Sequence, residues 1–146
     1  MDLVLDKRTK SIYVQKREDN IVYPISYNLI ADTLQRIIFH YAAIESNKDS
    51  ILLFEEPESH AFPPYITQLA HKIMEGENNN QYFITTHSPF LFNTIVENTN
   101  FEDLAVFIVS YQDYQTQLKK LSKTELSDLP NNGIDIFFNQ AYFLNE

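Results

Sequence analysis

The chain has 146 residues, 44% of them hydrophobic, and a formal net charge of −9, which predicts one globular domain with its own core. It contains no cysteine, and this excludes a disulfide framework and a thiolate metal site. Charged residues interrupt the N-terminal segment and no apolar run approaches the roughly 18 residues of a membrane span, so we expect a cytoplasmic protein with no signal peptide and no membrane segment.

The charge is unevenly distributed along the chain. Residues 1–20 carry five basic and four acidic side chains, a net of +1, so the remainder carries −10. Nucleic-acid-binding surfaces are usually basic because they contact phosphates. The acidic body therefore argues against this chain alone binding a nucleic-acid backbone.

The first elements are predicted to be a β-hairpin and a helix. Residues 11–16 and 21–25 alternate between apolar and polar side chains and are joined by a polar turn, which predicts a hairpin within a lead-in segment 1–25. From Tyr27 the apolar spacing becomes that of a helix ending near Glu45. The predicted inner face of this helix consists of Ile30, Leu34, Ile37, Ile38 and Tyr41.

Two strand–helix pairs are predicted next. Residues 50–54 form a continuous apolar run, which is typical of a strand covered on both faces. Pro63 and Pro64 open a helix that Gly76 ends. Its predicted core face is Ile66, Leu69, Ala70 and Ile73.

The second pair begins with a strand over residues 81–85. Ser88 followed by Pro89 is typical of a helix N-cap and first turn, and this helix is expected to reach about Val96. Residues 104–110 and 114–121 indicate two further strands that can form a hairpin, and residues 123–129 a short helix. No element is assigned from Gly133 onward.

The order of strands and helices from 50 to 110 predicts a parallel sheet with right-handed crossovers. The expected fold class is therefore α/β, with a partial parallel sheet flanked by helices and β-hairpins at the two ends. We expect residues 1–146 to form one domain, with a core over 26–121 and a C-terminal extension over 122–146.

Polar side chains suited to phosphate chemistry follow two of the predicted strands. Residues 51–58 read Ile-Leu-Leu-Phe-Glu-Glu-Pro-Glu, and residues 83–89 read Phe-Ile-Thr-Thr-His-Ser-Pro. Ligands of parallel sheets bind beyond the carboxyl ends of the strands, where Glu55, Glu56 and His87 are expected to meet. One carboxylate there can orient Mg²⁺, a neighbouring one can polarise an attacking water, and the histidine can hydrogen-bond a terminal phosphate.

The same residues have simpler explanations. Glutamates are favoured near a helix N-terminus by the helix dipole, and a single histidine at a strand end is often only a hydrogen-bonded polar group. A further alternative is a free-standing metal site in which His60 pairs with the glutamates.

A phosphate-binding loop of the form G-x-x-x-x-G-K-[ST] is missing from the sequence. The chain has two glycines, Gly76 and Gly133, and neither precedes a lysine. We therefore expect this chain to carry one half of a nucleotide site and, alone, to bind ATP poorly without hydrolysing it.

These motifs resemble those of a known family. Residues 51–63 resemble the Walker B and D-loop stretch of ABC-type ATPases. The similarity is greatest to the OLD-like group of AAA-labelled, SMC-related proteins, which often read E-E-P-E-x-H-L-H-P. Phe-Ile-Thr-Thr-His-Ser-Pro-Phe-Leu resembles the switch-histidine strand of that family. The resemblance covers residues 50–97 closely and 20–121 more loosely.

The resemblance implies roles for individual residues. Glu55 takes the metal-side Walker B position, where many ABC proteins have aspartate, and Glu56 takes the catalytic-glutamate position. Ser59, His60 and Ala61 fall in the D-loop, which in the family meets a partner subunit across the nucleotide. Phe62 stands where the group often has a second histidine. His87 takes the switch position.

The signature motif of the family matches less well. It lies before the helix that precedes Walker B, and Ser26 is the nearest match, without the glycine that usually follows. Asn28 in the same segment is equally suited to cap the helix. Ser26 in a signature role and Asn28 in a capping role therefore remain two open interpretations.

The leading hypothesis is the C-terminal half of an ABC/OLD-like P-loop ATPase. The resemblance implies ATP and Mg²⁺ as cofactors, a Walker A half of the same protein as partner, and a homodimer across ATP. It also implies a possible DNA or nuclease partner for the full protein. The alternatives are a non-catalytic interaction module derived from such an ATPase, and a metal-dependent hydrolase or nuclease.

Overall fold

The N-terminal part of the chain is a three-stranded antiparallel sheet. The computed structural model describes residues 2–132, 136–139 and 143–144. Strands β1 (Asp2–Asp6), β2 (Ser11–Glu18) and β3 (Ile21–Ser26) pair in the order β1-β2-β3. The turn between β2 and β3 places Asp19 and Asn20 at φ values of 49° and 65°, as a two-residue hairpin turn requires. The predicted hairpin is confirmed, and β1 is a strand that the sequence pattern did not reveal.

The first helix begins later than predicted. A short 3₁₀ turn occupies Tyr27–Leu29, and α1 spans Asp32–Ser46. The N-cap of α1 is Ala31, so the predicted alternative that Asn28 caps this helix is wrong. The predicted inner face is also partly wrong, because the fully buried residues of α1 are His40 and Ile44. The helix packs mainly through its C-terminal half, and Leu34 on the N-terminal half stays exposed.

The central unit contains two parallel strands. Strand β4 (Ile51–Glu55) pairs with β5 (Gln81–Thr85), and the register runs from Ile51 opposite Gln81 to Glu55 opposite Thr85. Helix α2 (Pro63–Met74) follows β4, and helix α3 (Pro89–Asn98) follows β5. Both helices begin with proline as predicted. The predicted core face of α2 is confirmed, since its buried residues are Ile66, Leu69, Ala70 and Ile73.

Helices cover only one face of this parallel sheet. Leu52, Phe54, Tyr82 and Ile84 pack with Ile44 of α1 and with Leu69 and Ile73 of α2. On the opposite face Ile51, Leu53 and Phe83 are 61%, 76% and 55% exposed. The prediction that β4 is covered on both faces is therefore wrong for the described chain. The apolar run is present, but no described helix packs on its second face.

The C-terminal part is a hairpin and a helix, which share a buried cluster with Phe92 of the preceding helix. Strand β6 (Phe107–Gln112) pairs antiparallel with β7 (Gln115–Lys120), and α4 spans Lys123–Asn132. Both predicted strands and the short helix are confirmed. The expected placement of β6 in the parallel sheet is wrong, because among the described strands it bonds only with its hairpin partner. A short turn brings β7 beside β6 locally, whereas pairing with β5 would need a long-range contact.

The turn after α2 contains one of the two glycines of the chain. Gly76 lies two residues beyond α2, and a Cβ atom there would lie 3.3 Å from both the Ile73 carbonyl and the Tyr82 hydroxyl, so a side chain at this position would be tightly packed. Within the described residues, no helix has the length and apolar character needed to cross a membrane. The segment from Gly133, for which no element was predicted, lies largely outside the described residues.

Candidate active site at the carboxyl edge of the parallel strands

The two parallel strands bring the sequence-predicted glutamates beside the histidine-containing segment. Glu55 is the last residue of β4 and is exposed. The Glu56 N–H donates to the Thr85 carbonyl at 2.9 Å, which extends the strand pairing by one residue. Glu56 then turns away from the sheet with φ 41°, a left-handed value that is uncommon for a residue other than glycine. This turn directs the next residues across the end of β5.

A tight turn follows over residues 56–61. The Ser59 N–H donates to the Glu56 carbonyl and the Ala61 N–H donates to the Glu58 carbonyl, each at 2.9 Å. Pro57 at the start of this turn is buried, and its ring restricts the backbone. His60 has φ 61°, a second left-handed value. Backbone strain of this kind is common at functional sites, where surrounding contacts hold it in place.

The structure brings Glu56, Ser59 and His87 together. The Ser59 hydroxyl donates to Glu56 Oε2 at 3.2 Å, and His87 Nε2 lies 3.3 Å from Glu56 Oε1. The His87 side chain is 85% exposed and the Glu56 side chain 45% exposed. A carboxylate held between a hydroxyl and an imidazole, with open solvent beside it, has the geometry of a group that can orient and polarise a water molecule.

Sequence reasoning assigned Glu58 no role of its own. Its Oε1 atom accepts from the Thr86 hydroxyl at 2.6 Å and from the His87 N–H at 2.9 Å. The Thr86 hydroxyl in turn accepts from the Ser88 N–H at 3.0 Å. Ser88 caps α3 as predicted, with its hydroxyl accepting from the Leu91 N–H at 3.3 Å. The spacing of Glu58 and Thr86, each just beyond a strand that ends at the same edge, was the only sequence signal for this contact.

The other predicted site residues are Ser26 and His60, and no described contact joins Ser26 to this cluster. Ser26 ends β3, and its hydroxyl makes no capping bond to the 3₁₀ turn that follows. The His60 carbonyl accepts from the Thr33 hydroxyl of α1 at 2.6 Å. This bond ties the turn after β4 to the first turn of α1.

Glu55 is one of the residues that line a cleft of about 410 Å³ between α1 and β4. Arg36 lines the same cleft and is paired with Asp32 at 3.2 Å. Burial lowers the pKa of His40, which also lines the cleft, and favours its neutral form. The cleft residues are Tyr27, Asp32, Gln35, Arg36, Phe39, His40, Leu53, Phe54 and Glu55.

The described residues do not form a metal site by themselves. Among residues 2–132, 136–139 and 143–144, no group of three or more histidine, cysteine, aspartate or glutamate side chains is arranged to hold an ion. His60 therefore does not complete a metal cluster with the glutamates in the described part of the chain. Any metal at this edge would need ligands from elsewhere, such as water or a phosphate.

A comparison of the sequence with models of protein families identifies the family to which the chain belongs. The model of the AAA ATPase domain matches residues 8–92, which is more than half of the chain and includes both strand-end motifs. The chain belongs to the AAA ATPase domain family. An ATPase-related function, with a nucleotide-binding fold, follows for this AAA domain. The comparison with curated proteins gave no match.

Solved structures show the same fold at low sequence identity. One is from work on ATP-driven dimerization and DNA-stimulated activation of SMC ATPases. It is 14% identical, with a TM-score of 0.60 over 89% of this chain and 78% of that chain. The other is an SMC head bound to the C-winged helix domain of ScpA, also 14% identical, with a TM-score of 0.60 over 86% of this chain and 38% of that one. These similarities support the fold of an SMC-type ATPase head.

Proposed function

We propose that this AAA domain supplies the carboxylate and histidine side of an ATP-hydrolysing site in the OLD-like, SMC-related branch. The contact between Glu56 and His87 at the carboxyl edge of two parallel strands carries the proposal. Glu56 polarises the water that attacks the terminal phosphate. His87, whose imidazole is almost fully exposed, hydrogen-bonds an oxygen of that phosphate.

The other predicted residues fit around these two. Glu55 presents an exposed carboxylate next to Glu56, and carboxylate oxygens are ligands that Mg²⁺ prefers, directly or through water. When bound, Mg²⁺ would neutralise charge on the phosphate oxygens. We assign Ser59 and His60 to contacts with nucleotide and partner across a homodimer. Ser26 is assigned to the signature position.

The charge of the site explains why the chain alone would bind ATP weakly. Glu55, Glu56 and Glu58 follow one another within four residues. A polyphosphate near several carboxylates is repelled unless cations compensate. A glycine-rich loop at a helix N-terminus with a lysine normally provides the positive side of such a site, and this sequence contains none. The proposed site therefore needs a Walker A half from the same protein.

The bare face of the parallel sheet offers a place for that half. Parallel strands normally have helices on both faces, yet Ile51, Leu53 and Phe83 face solvent here. The chain exposes 10548 Å². A compact monomer of this mass would expose only roughly 7,800 Å². The difference of about 2,700 Å² for one chain is comparable with the area that one partner buries in a large obligate interface.

Homodimerisation across ATP is the proposed state of the complete protein. One of the similar structures comes from work on ATP-driven dimerization and DNA-stimulated activation of SMC ATPases, and the other is a complex with a domain of ScpA. By analogy, a DNA or nuclease partner is proposed for the complete protein. The acidic charge outside residues 1–20 argues that other parts of that protein would contact the DNA.

A second candidate function is a non-catalytic interaction module. One face of the N-terminal sheet carries exposed apolar side chains, which the strand register places on the same side of the sheet. They are Leu3, Leu5, Ile12, Tyr23 and Ile25. Exposed apolar patches of this kind mark interaction sites in soluble proteins. An upstream reading frame without a Walker A loop would favour this candidate.

The test of the proposed roles uses the protein extended upstream in its reading frame. Glu56→Gln keeps the size of the side chain and removes its basicity, so we expect ATP binding within threefold of wild type and kcat lowered by about 10²–10⁴-fold. His87→Ala should also lower kcat. Glu77→Gln, at an exposed glutamate after α2, is the matched control and should leave kcat unchanged. Hydrolysis by Glu56→Gln at the wild-type rate would remove Glu56 from this role.

A further inference from the structure

The third glutamate of the Glu-Glu-Pro-Glu run makes contacts that differ from those of the first two. Glu55 is exposed, and the oxygens of Glu56 contact the exposed imidazole of His87 and the Ser59 hydroxyl. Glu58 instead turns inward, and its Oε1 atom accepts two hydrogen bonds from the end of the neighbouring strand. Its Oε2 atom is buried and has no hydrogen-bond partner. Glu58 is therefore poorly placed to bind a cation, because one oxygen is occupied by donors and the other is closed to solvent.

We propose that Glu58 is a positioning residue that fixes His87 opposite Glu56, an inference that rests on the function proposed above. The His87 imidazole is 85% exposed, and its described contact is with Glu56. Little packing therefore limits where this residue points. Its backbone, in contrast, is held by the bond from the His87 N–H to Glu58 and by the Thr86 hydroxyl bonded to the same oxygen.

The two hydrogen bonds that Glu58 accepts from Thr86 and His87, called here the clamp, also join the two segments that form the site. Glu56 and Glu58 belong to one turn, which bonds to itself through Ser59 and Ala61. Thr86 and His87 belong to the segment that enters α3 through the Ser88 cap. Because the carboxylate accepts both bonds on one charged atom, each bond is of the stronger, charge-assisted kind. Loss of Glu58 would therefore free the turn and the histidine segment from each other, and the Glu56–His87 distance would no longer be fixed.

Amide hydrogen exchange of this chain tests the clamp without any assumption about ATP. In Glu58→Ala the His87 amide loses its acceptor, and we expect its exchange to become at least tenfold faster. The amides within β4 and β5 should keep their relative protection. Glu58→Gln retains an acceptor oxygen of the same reach and should stay within threefold of wild type. An unchanged His87 exchange rate in Glu58→Ala would overturn the proposal, and an equal increase at all amides would show a merely global effect.

Thr86→Val provides a milder variant should Glu58→Ala not fold. It removes one of the two donors to Glu58 Oε1, and the His87 amide should exchange faster by a smaller factor. An unchanged rate here would also count against the clamp. Glu77→Ala, at an exposed glutamate outside the site, is the control for loss of a carboxylate.

Kinetics of the protein extended upstream test whether the clamp serves hydrolysis. We expect Glu58→Ala to lower kcat at least tenfold with KM within threefold, and Glu58→Gln to restore most of the rate, because only the alignment of His87 and Glu56 changes. Faster His87 exchange together with an unchanged kcat would contradict the positioning role. Absence of ATP hydrolysis in the wild-type protein would instead refute the proposed function, while the exchange data would still decide whether Glu58 holds His87.

Discussion

The bare face of the parallel sheet leads to a quantitative prediction about Leu53. Complete burial of a leucine side chain stabilises a protein by roughly 1.5–3 kcal/mol. Leu53 is 76% exposed, so only about a quarter of that stabilisation can be present in this chain. Leu53→Ala should therefore lower the free energy of unfolding of this chain by less than about 1 kcal/mol. If a second half covers the sheet, the same change in the protein extended upstream should cost about 2–5 kcal/mol, as for a core leucine.

Urea denaturation of both proteins, followed by circular dichroism, measures how much Leu53→Ala lowers the free energy of unfolding in each of them. Leu69→Ala is the matched control, because Leu69 is 2% exposed on the covered side of the same sheet and should cost about 2–5 kcal/mol in both proteins. Equal costs of Leu53→Ala in the short and the extended protein would refute the idea that this face receives another layer. A large cost already in the short protein would show that Leu53 is covered there.

Three further predictions concern stability. Burial lowers the pKa of His40 below its usual value of 6.5, so the unfolded chain takes up this proton before the folded chain does as the pH falls. The stabilisation should therefore be complete above about pH 6.5 and decline as the pH falls below that value. His40→Gln should flatten that decline in urea titrations. Leu91→Ala removes a fully buried side chain between α2 and α3 and should cost about 2–5 kcal/mol. The backbone N–H and hydroxyl of Ser122, together with Lys119, lower the pKa of Glu125 to about 2. Its stabilisation should therefore be complete above pH 4.5 and decrease as the pH falls toward 2, so in thermal melts Glu125→Ala should cost about 1 kcal/mol at pH 7 and less near pH 2.

Local patterns predicted the elements that depend on neighbouring residues. The Pro63–Pro64 pair located the start of α2, and Ser88 with Pro89 located the start of α3, because these residues act within a single turn of helix. Apolar spacing identified the buried face of α2, which packs along its whole length. The hairpin strands also followed from local alternation and turn residues.

Features that depend on the rest of the molecule were not predictable. The apolar run of β4 indicates a strand that is covered on both faces, but a sequence does not say whether the second layer belongs to the same chain. The face of α1 was misassigned since tertiary contacts select His40 and Ile44 near its end, while its N-terminal half has little to pack on. Glu55, Glu56 and His87 were predictable from strand-end positions. The strand-end positions of Glu58 and Thr86 bring them near each other, but the hydrogen bonds of Glu58 also depend on its side-chain rotamer, which spacing does not specify.

Mg²⁺-dependent ATP binding and hydrolysis, measured for this chain and for the protein extended upstream in its reading frame, decide whether the chain carries one half of an ATPase site. We expect weak binding and no turnover by the chain alone, and turnover by the extended protein that Glu56→Gln lowers by about 10²–10⁴-fold. Turnover by the chain alone, or none by an extended protein that contains a Walker A loop, would contradict the half-site proposal.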